Sequence, residues 1–462
     1  MILSVSYGPL PTAHSRHMAS TDIKIRHVES SYEDFHYRTP IKFGGVALDR
    51  VKILNVWLTV ESAAGKVGKG FGSMPLGNVW AWPSRTVTYD QTLAGMQQFA
   101  ASAASLYATC DISGHPIDIT HELEPKLLAT PAPCVPEAMP ALAKLVVSSA
   151  YDAALHDAFG KLHGLNCFHT YGPEFLEHDL GHYLGKEFAG ERLHNYITTE
   201  PKPRMPLYHL VGALDPMTPA DVVKPVGDGL PEHLGEWIER DGLTHLKIKL
   251  NGDDIAWDVE RVITVNAIAE EVQRQRGVTE WWYSLDFNER CQNVQYLLEF
   301  LRQLKDRTPA GYDRVQYVEQ PTARDLKANP ANRMHEAAKL KPVVIDESLL
   351  DLESLLMSRE MGYTGVAFKA CKGQTQTLLL AAAAQKFGLF RCVQDLTCVG
   401  ASLIHSASIA AHIPGVAAIE SNGRQYCPAA NKAWDAKFPG VFTITDGTMN
   451  TAVLNGPGLG AV

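Results

Sequence analysis

The second half of the chain predicts an α/β fold, a (β/α)8-type TIM barrel, carried behind an N-terminal α+β capping domain. Three observations lead there. From residue 206 onward, short apolar strands alternate with amphipathic helices until eight strands have passed, the number that closes a parallel barrel. Before residue 166 the order is strands first and long helices after, which is α+β and not barrel-like. Five consecutive barrel strands also end in a charged residue, at the end where barrels of this kind place their active sites.

In chain order, residues 1–21 open with a short apolar start, no basic stretch before it, and prolines at 9 and 11. A frayed or added N-terminus is expected there rather than a signal peptide. DIKIRHVES and RVKILNVWLTVES alternate as strands on either side of a loop, FHYRTPIKFGG. Residues 65–84, GKVGKGFGSMPLGNVWAWPS, are rich in glycine and read as a flexible covering loop. Their Gly-x-x-Gly-x-Gly run lacks the Gly-Lys-Ser/Thr of a phosphate loop. Residues 89–109 and 136–163 read as helices, the second stopping at Gly164 behind Lys161 and His163. The capping domain therefore spans 22–165, and the polar stretch 166–205, with prolines near both ends, is a linker or insertion.

The barrel spans 206–424. Its strands are PLYHLVGA, HLKIKL, WYSLDFN, RVQYVEQ, PVVIDE, GVAFKA, FRCVQDL and VAAIES, and helices such as DVERVITVNAIAEEVQRQR and TLLLAAAAQKFG separate them. Residues 425–462 form no further unit and are expected to pack back on the cap.

Composition narrows the function. Of 462 residues, 45% are hydrophobic and 20% charged, with mean hydropathy −0.11, so the chain can bury a large core. Lysine and arginine total 42 against 51 acidic residues, a net charge of −9 without a basic cluster. Nucleic acid and anionic membrane surfaces are poor partners for such a chain, and a small molecule is a better one. The eight cysteines are scattered with no Cys-x-x-Cys pair, which suits a reducing cytoplasm. No apolar run approaches the ~20 residues of a membrane span.

The strand ends carry Lys247 and Lys249, Asp286, Glu319, Asp346 and Lys369 in order. Three carboxylates on adjacent strands converge and repel one another in a low dielectric unless a cation sits among them. All-oxygen ligation with room for water or substrate oxygens suits Mg2+, with Mn2+ as a substitute. Asn288, two residues past Asp286, and Glu347 beside Asp346 are auxiliaries. Lys247 and Lys249 share a face of their strand, so each disfavours protonation of the other and one can serve as a base. Lys249 and Lys369 stand four strands apart in a ring of eight, on opposite sides of the mouth.

The series KIK, SLDFN, YVEQP, VIDES, AFKACKGQ, together with AALHDAFGKLHG at the domain junction, resembles the enolase superfamily, and most closely its muconate lactonizing enzyme-like branch. The resemblance runs over nearly the whole chain from residue 22. It implies Asp286, Glu319 and Asp346 as magnesium ligands, Lys249 and Lys369 as an acid/base pair, and Lys247 as a helper that contacts a substrate carboxylate. The reaction it implies is removal of the proton α to a carboxylate, giving a metal-stabilised enolate. With lysines on both faces, racemisation or epimerisation leads; dehydration of a hydroxy or sugar acid and cycloisomerisation use the same groups. A non-catalytic ligand-binding scaffold is the reading from another class, and it predicts loss of charged positions that are all retained.

Departures refine this. Mandelate racemase-like members place a histidine at the seventh strand, where this chain reads VQDLTC. Dipeptide epimerase-like members carry Asp-x-Asp at the eighth, where it reads IESNG, so Glu420 and Asp395 are candidates to touch a different substrate. The cap is expected to set specificity through Tyr37–Phe43 and Gly70–Trp82, with Arg38, Lys42, Trp80 and Trp82 as candidates. His178 and His182, four apart in EHDLGHYLGKEF, nearly match the zinc-protease helix, but the acid is one methylene short, Gly181 weakens the helix and the sequence offers no third ligand. A zinc hydrolase would also want histidines at strand ends, and none lies there. His405 and His412 are expected to be satisfied packing residues, and a symmetric homo-oligomer is expected.

Overall fold

The computed structural model describes residues 19–43, 46–132 and 135–460. The N-terminal segment is outside them up to residue 18, as is Cys134. The cap begins with β1 (Ile23–Phe43) and β2 (Val46–Ser62), two long antiparallel strands. The stretch expected as a loop between two short strands is the far end of this hairpin, with a register shift between His36 and Ile41. Pro40 falls in that shift, where a residue without an amide hydrogen interrupts the ladder.

The glycine-rich stretch expected to be a covering loop is in large part β3 (Val67–Pro75), paired along its length with β2. Its glycines are a packing device. A Cβ placed on Gly68, Gly70 or Gly72 would come within 2.7, 2.1 and 1.9 Å of the carbonyl oxygens of Ala158, Ala154 and Ala150. Alternate strand residues share a face and helix residues four apart share a stripe. A glycine row therefore meets an alanine row, and helix and strand backbones touch.

That helix is the third of the three long helices of the cap. These are α1 (Tyr89–Ala108), α2 (Pro116–Ala129) and α3 (Ala141–His163). The sequence analysis assigned no element to α2, a helix that carries Pro125 in its interior. α3 is buried on nearly every side and ends at Gly164 with φ +70°.

The barrel is a closed ring of eight parallel strands: β4 (Arg204–Val211), β5 (His245–Lys249), β6 (Trp282–Asp286), β7 (Val315–Glu319), β8 (Val343–Ile345), β9 (Gly365–Phe368), β10 (Phe390–Val393) and β11 (Val416–Glu420). Ile419 beside Leu207 and Glu420 beside Tyr208 close it. Tyr208, Tyr317, Val344, Ala367, Cys392 and Ala418 fill its interior. Seven strands are followed by helices: α4 (Leu234–Asp241), α5 (Ile255–Arg276), α6 (Val294–Arg307), α7 (His335–Leu340), α8 (Leu352–Glu360), α9 (Gln374–Lys386) and α10 (Ala401–His412). After β11 comes a single turn, Gly423–Tyr426, in place of an eighth full helix.

The C-terminal segment touches both domains. β12 (Thr448–Asn450) pairs antiparallel with β4, while the Leu459 amide donates to Asp157 on α3 and the Trp434 ring stacks on Phe71 of β3. Residues 166–205 bury Phe168, Tyr171, Leu180 and Phe188 and join the barrel's outer helices through Lys386 to Glu191 and the Thr198 amide to the His412 carbonyl. Cap and barrel meet at α3, where the fully buried Asp152 accepts from Thr120 on α2 and from both the amide and hydroxyl of Thr375 on α9.

Candidate active site at the mouth of the barrel

Register assembles the charges. Parallel pairing sets Lys249 beside Asp286, and Asp286 beside Glu319, at the C-terminal ends of β5, β6 and β7. Asp346 follows β8 and Lys369 follows β9. The Lys247 ammonium donates to Glu319 at 2.8 Å, Glu420 at 3.0 Å and Gln394 Oε1 at 2.8 Å, and lies 3.2 Å from Asp286. Lys249 donates to Asp286 at 2.5 Å and to Asn288 Oδ1 at 2.8 Å. Across the mouth, Lys369 stands 2.7 Å from Asp346 and 4.0 Å over the Trp80 ring.

Lys247, Lys249 and Lys369 are 1%, 6% and 4% exposed, so the mouth is closed under the cap. Trp80 comes from the cap, in the turn Asn78–Ala81, and its indole N–H donates to Glu347 at 2.9 Å. A cavity of about 280 Å³ outside the cluster reaches Glu347, between Leu142 of α3 and Arg324 and Ser348 of the barrel.

The local backbone is strained where the side chains converge. Asn288, Glu289, Gln320 and Thr397 have φ of +44°, +60°, +30° and +54°, a region that non-glycine residues seldom occupy, and all four lie just beyond β6, β7 or β10. Gln320 illustrates the compensation. Its Oε1 accepts from the amides of Asp346 and Ser348, and its Nε2 donates to Ser348 and to the Thr322 carbonyl, so it holds the turn that presents Asp346.

Electrostatics differ from the expectation drawn from the Lys-x-Lys spacing. Burial opposes the charged form of Lys247, but Glu319, Glu420 and Asp286 outweigh it and move its pKa well above the usual lysine range. The neighbouring carboxylates, and not the neighbouring lysine, decide its charge. Burial likewise disfavours charge on Lys369, and Asp346 reverses the sign. Asp286 is held below the ordinary carboxylate range, with Lys249 and then Lys247 overcoming burial. Burial, with Asp346 and Glu289, pushes Glu347 up to about 7.

The cluster suits a hard cation. Asp286, Glu319, Asp346, Glu347 and Glu420 are buried among Lys247, Lys249, Lys369 and Lys372, Arg324 nearby is already committed to Glu289, and Glu319 Oε2 and Glu347 Oε2 have no hydrogen-bond partner among the described residues. Surplus buried carboxylate with unused oxygen lone pairs is what a divalent ion relieves. The ammonium groups now stand between the carboxylates. Among the described residues, the one group of three or more ligands whose atoms all lie within 4.8 Å of one another is elsewhere, at Asp118, His178 and His182.

Other predicted residues fall differently. The Asp395 carboxylate is taken up by the amides of Leu396 and Cys398, each at 2.7 Å, and of Asn422 at 2.8 Å. Burial and Glu420 push it up to about 6. Glu420 is within the cluster, and Asn288 links it by donating to Glu347 and accepting from Lys249. Arg38 is used to clamp the loop after β4, through Asp228 at 2.6 Å and the Pro231 carbonyl at 3.1 Å. Trp82 is 1% exposed and packs on Gly95 in the cap, away from solvent. Lys42 lies opposite Ala47 near the hairpin tip.

Three residues escaped the sequence reading. Lys372 donates to the Asp346 carbonyl at 2.5 Å and carboxylate at 3.2 Å, Gln394 accepts from Lys247, and Gln320 braces the Asp346 turn. Period two along FRCVQDL would have put Gln394, not Asp395, on the inward face with Cys392. Lys372 gave no such signal, because it follows β9 on a 3-10 turn, Ala370–Lys372, rather than on the strand.

A capped barrel of this connectivity defines a class of α/β fold. The chain belongs to the enolase C-terminal domain-like family, whose model matches residues 229–462, just over half of its length. Solved structures that share the fold include a dipeptide epimerase from Enterococcus faecalis complexed with Mg and L-Leu-L-Tyr, at 16% identity and TM-score 0.64 over 95% of this chain and 99% of that one. A muconate lactonizing enzyme from Pseudomonas fluorescens complexed with muconolactone has 17% identity and TM-score 0.62 over 95% and 96%. The L-Ala-D/L-Glu epimerase of Bacillus subtilis has 17% identity and TM-score 0.62 over 95% and 99%. No curated protein sequence matches the chain.

Proposed function

We propose that this protein is a magnesium-dependent enzyme that removes the proton α to a carboxylate, with racemisation or epimerisation as the reaction. The observation that carries the proposal is the placement of Lys249 at the end of β5 and of Lys369 just past β9, on opposite sides of the mouth, each against a different aspartate. In this reading Asp286, Glu319 and Asp346 hold the ion. A bound magnesium ion supplies electrostatic stabilisation of the charge that develops on the substrate carboxylate.

This chain's residues do the rest. Lys249 or Lys369 takes the α-proton from one face and the other returns a proton to the opposite face, which inverts the centre. Lys247 offers an ammonium to the carboxylate end of the substrate. To act as base, Lys369 must give up the proton that Asp346 now helps it to hold, and an Asp346 carboxylate engaged elsewhere would favour that proton less. Trp80 lies over Lys369 and excludes water from that side. Epimerases and a lactonizing enzyme among the structural neighbours are consistent with this chemistry.

The test is incubation with magnesium in deuterium oxide against amino-acid derivatives, hydroxy acids and sugar acids, with the α-proton followed by NMR. Wash-in of deuterium on an unchanged carbon skeleton is the expected result, falling about 10²–10⁴-fold for one enantiomer in Lys249→Ala and for the other in Lys369→Ala. Loss of water instead would make the protein a dehydratase. Exchange unchanged in both variants would overturn the two-lysine reading.

A further inference from the structure

The histidines four apart in EHDLGHYL gain in three dimensions the partner that the sequence did not offer. The helical turn Leu180–Leu184 is capped by Asp179, whose carboxylate accepts from the His182 amide at 3.2 Å and the Gly190 amide at 2.6 Å. The acid that would be the catalytic base of a zinc-protease helix is thus spent on shaping the turn. It brings the His178 and His182 rings face to face, 3.9 Å between centroids and 9° from parallel.

From the other side comes Asp118 in the first turn of α2, its carboxylate oriented by the Tyr183 hydroxyl at 2.5 Å. The ligand atoms of Asp118, His178 and His182 all lie within 4.8 Å of one another. One turn along α2, His121 brings a fourth candidate, its ring 5.7 Å from that of His182. Asp118, His178 and His121 are partly buried and His182 is exposed, so the group is reachable from solvent.

We propose that Asp118, His178 and His182 form a transition-metal site, with His121 available as fourth ligand, that fastens the 166–205 segment to the cap. Imidazole nitrogens with one carboxylate suit Zn2+, Co2+, Ni2+ or Cu2+, whereas Mg2+ prefers the all-oxygen set in the barrel. A carboxylate oriented by a hydroxyl donor is the outer support that such sites use. The ligands come from α2 and from the segment that also grips α9 and α10, so the ion would stiffen the junction between the two domains. The site is distinct from the barrel mouth, and its test does not depend on the proposed reaction.

The experiment uses the full chain, stripped with a chelator and returned to excess magnesium, then titrated with Co2+ and Zn2+. Wild type is compared with His182→Ala, whose exposed side chain can be removed without opening the core, and with Asp118→Asn. The expected result is one more tight equivalent in wild type, at least tenfold weaker binding in both variants, visible d–d absorption of the Co2+ form that both variants lose, and a zinc-dependent rise in melting temperature confined to wild type. Equal stoichiometry, affinity and spectra in wild type and His182→Ala would overturn the proposal.

Discussion

Asp395 shows how one side chain can resemble a substrate ligand in sequence and serve the backbone in structure. Its carboxylate satisfies three amides that would otherwise be buried without acceptors. Asp395→Asn replaces one acceptor oxygen by a donor facing amide donors, so we expect a loss of about 1–3 kcal/mol in urea unfolding. Exchange activity per folded molecule should stay within about twofold, and a large activity loss without a stability loss would restore the substrate role. His405 is the opposite case. Buried as expected for a packing residue, it is not satisfied, since neither ring nitrogen has a partner among the described residues. Burial, with a contribution from Lys161, pushes its pKa down to about 3. A histidine depressed on folding leaves its stability intact above the unfolded pKa near 6.5 and loses it as pH falls, by up to about 1.4 kcal/mol per pH unit. His405→Leu should therefore stabilise by about 1 kcal/mol at pH 7.5, by more at pH 5.5. An advantage that shrank on acidification would contradict this.

Among the elements, β3 carries the clearest lesson. Glycine in a sequence argues for flexibility, and here it permits contact. Gly68, Gly70 and Gly72 recur with the period of a strand, matching the four-residue period of Ala150, Ala154 and Ala158, but the match is visible only once both elements are known to pack. Gly72→Ala forces a Cβ against the Ala150 carbonyl, and about 1–3 kcal/mol should be lost in urea unfolding; an unchanged midpoint would show that strand and helix can part freely. The barrel strands were legible because their apolar runs and charged ends are local signals. The extent of the β1–β2 hairpin was less so, since its outer half is largely exposed and lacks a buried face to set the alternation. α2, with Pro125 in its interior, is a helix in which tertiary packing overrode a local rule.

At the scale of the molecule, the cap and barrel complete one another: α3 ties β3, α9 and the C-terminus together, and Trp80 reaches from the cap onto Lys369 and Glu347. The charged positions of the site were readable because a parallel barrel brings strand ends together by topology alone. Their pairing was not, because it depends on which carboxylate each flexible lysine reaches. A buried surplus of carboxylate also makes stability depend on cations. Millimolar magnesium should raise the melting temperature, and Glu319→Gln should weaken that response; a melting temperature indifferent to magnesium in wild type would count against the three-carboxylate centre. The most direct test of the account is the partition of α-proton exchange between the two lysines, measured separately on each enantiomer of a substrate that wild type exchanges. Two-base chemistry predicts that Lys249→Ala abolishes exchange from one enantiomer and Lys369→Ala from the other. Parallel loss from both enantiomers in one variant, with the other variant unimpaired, would contradict it.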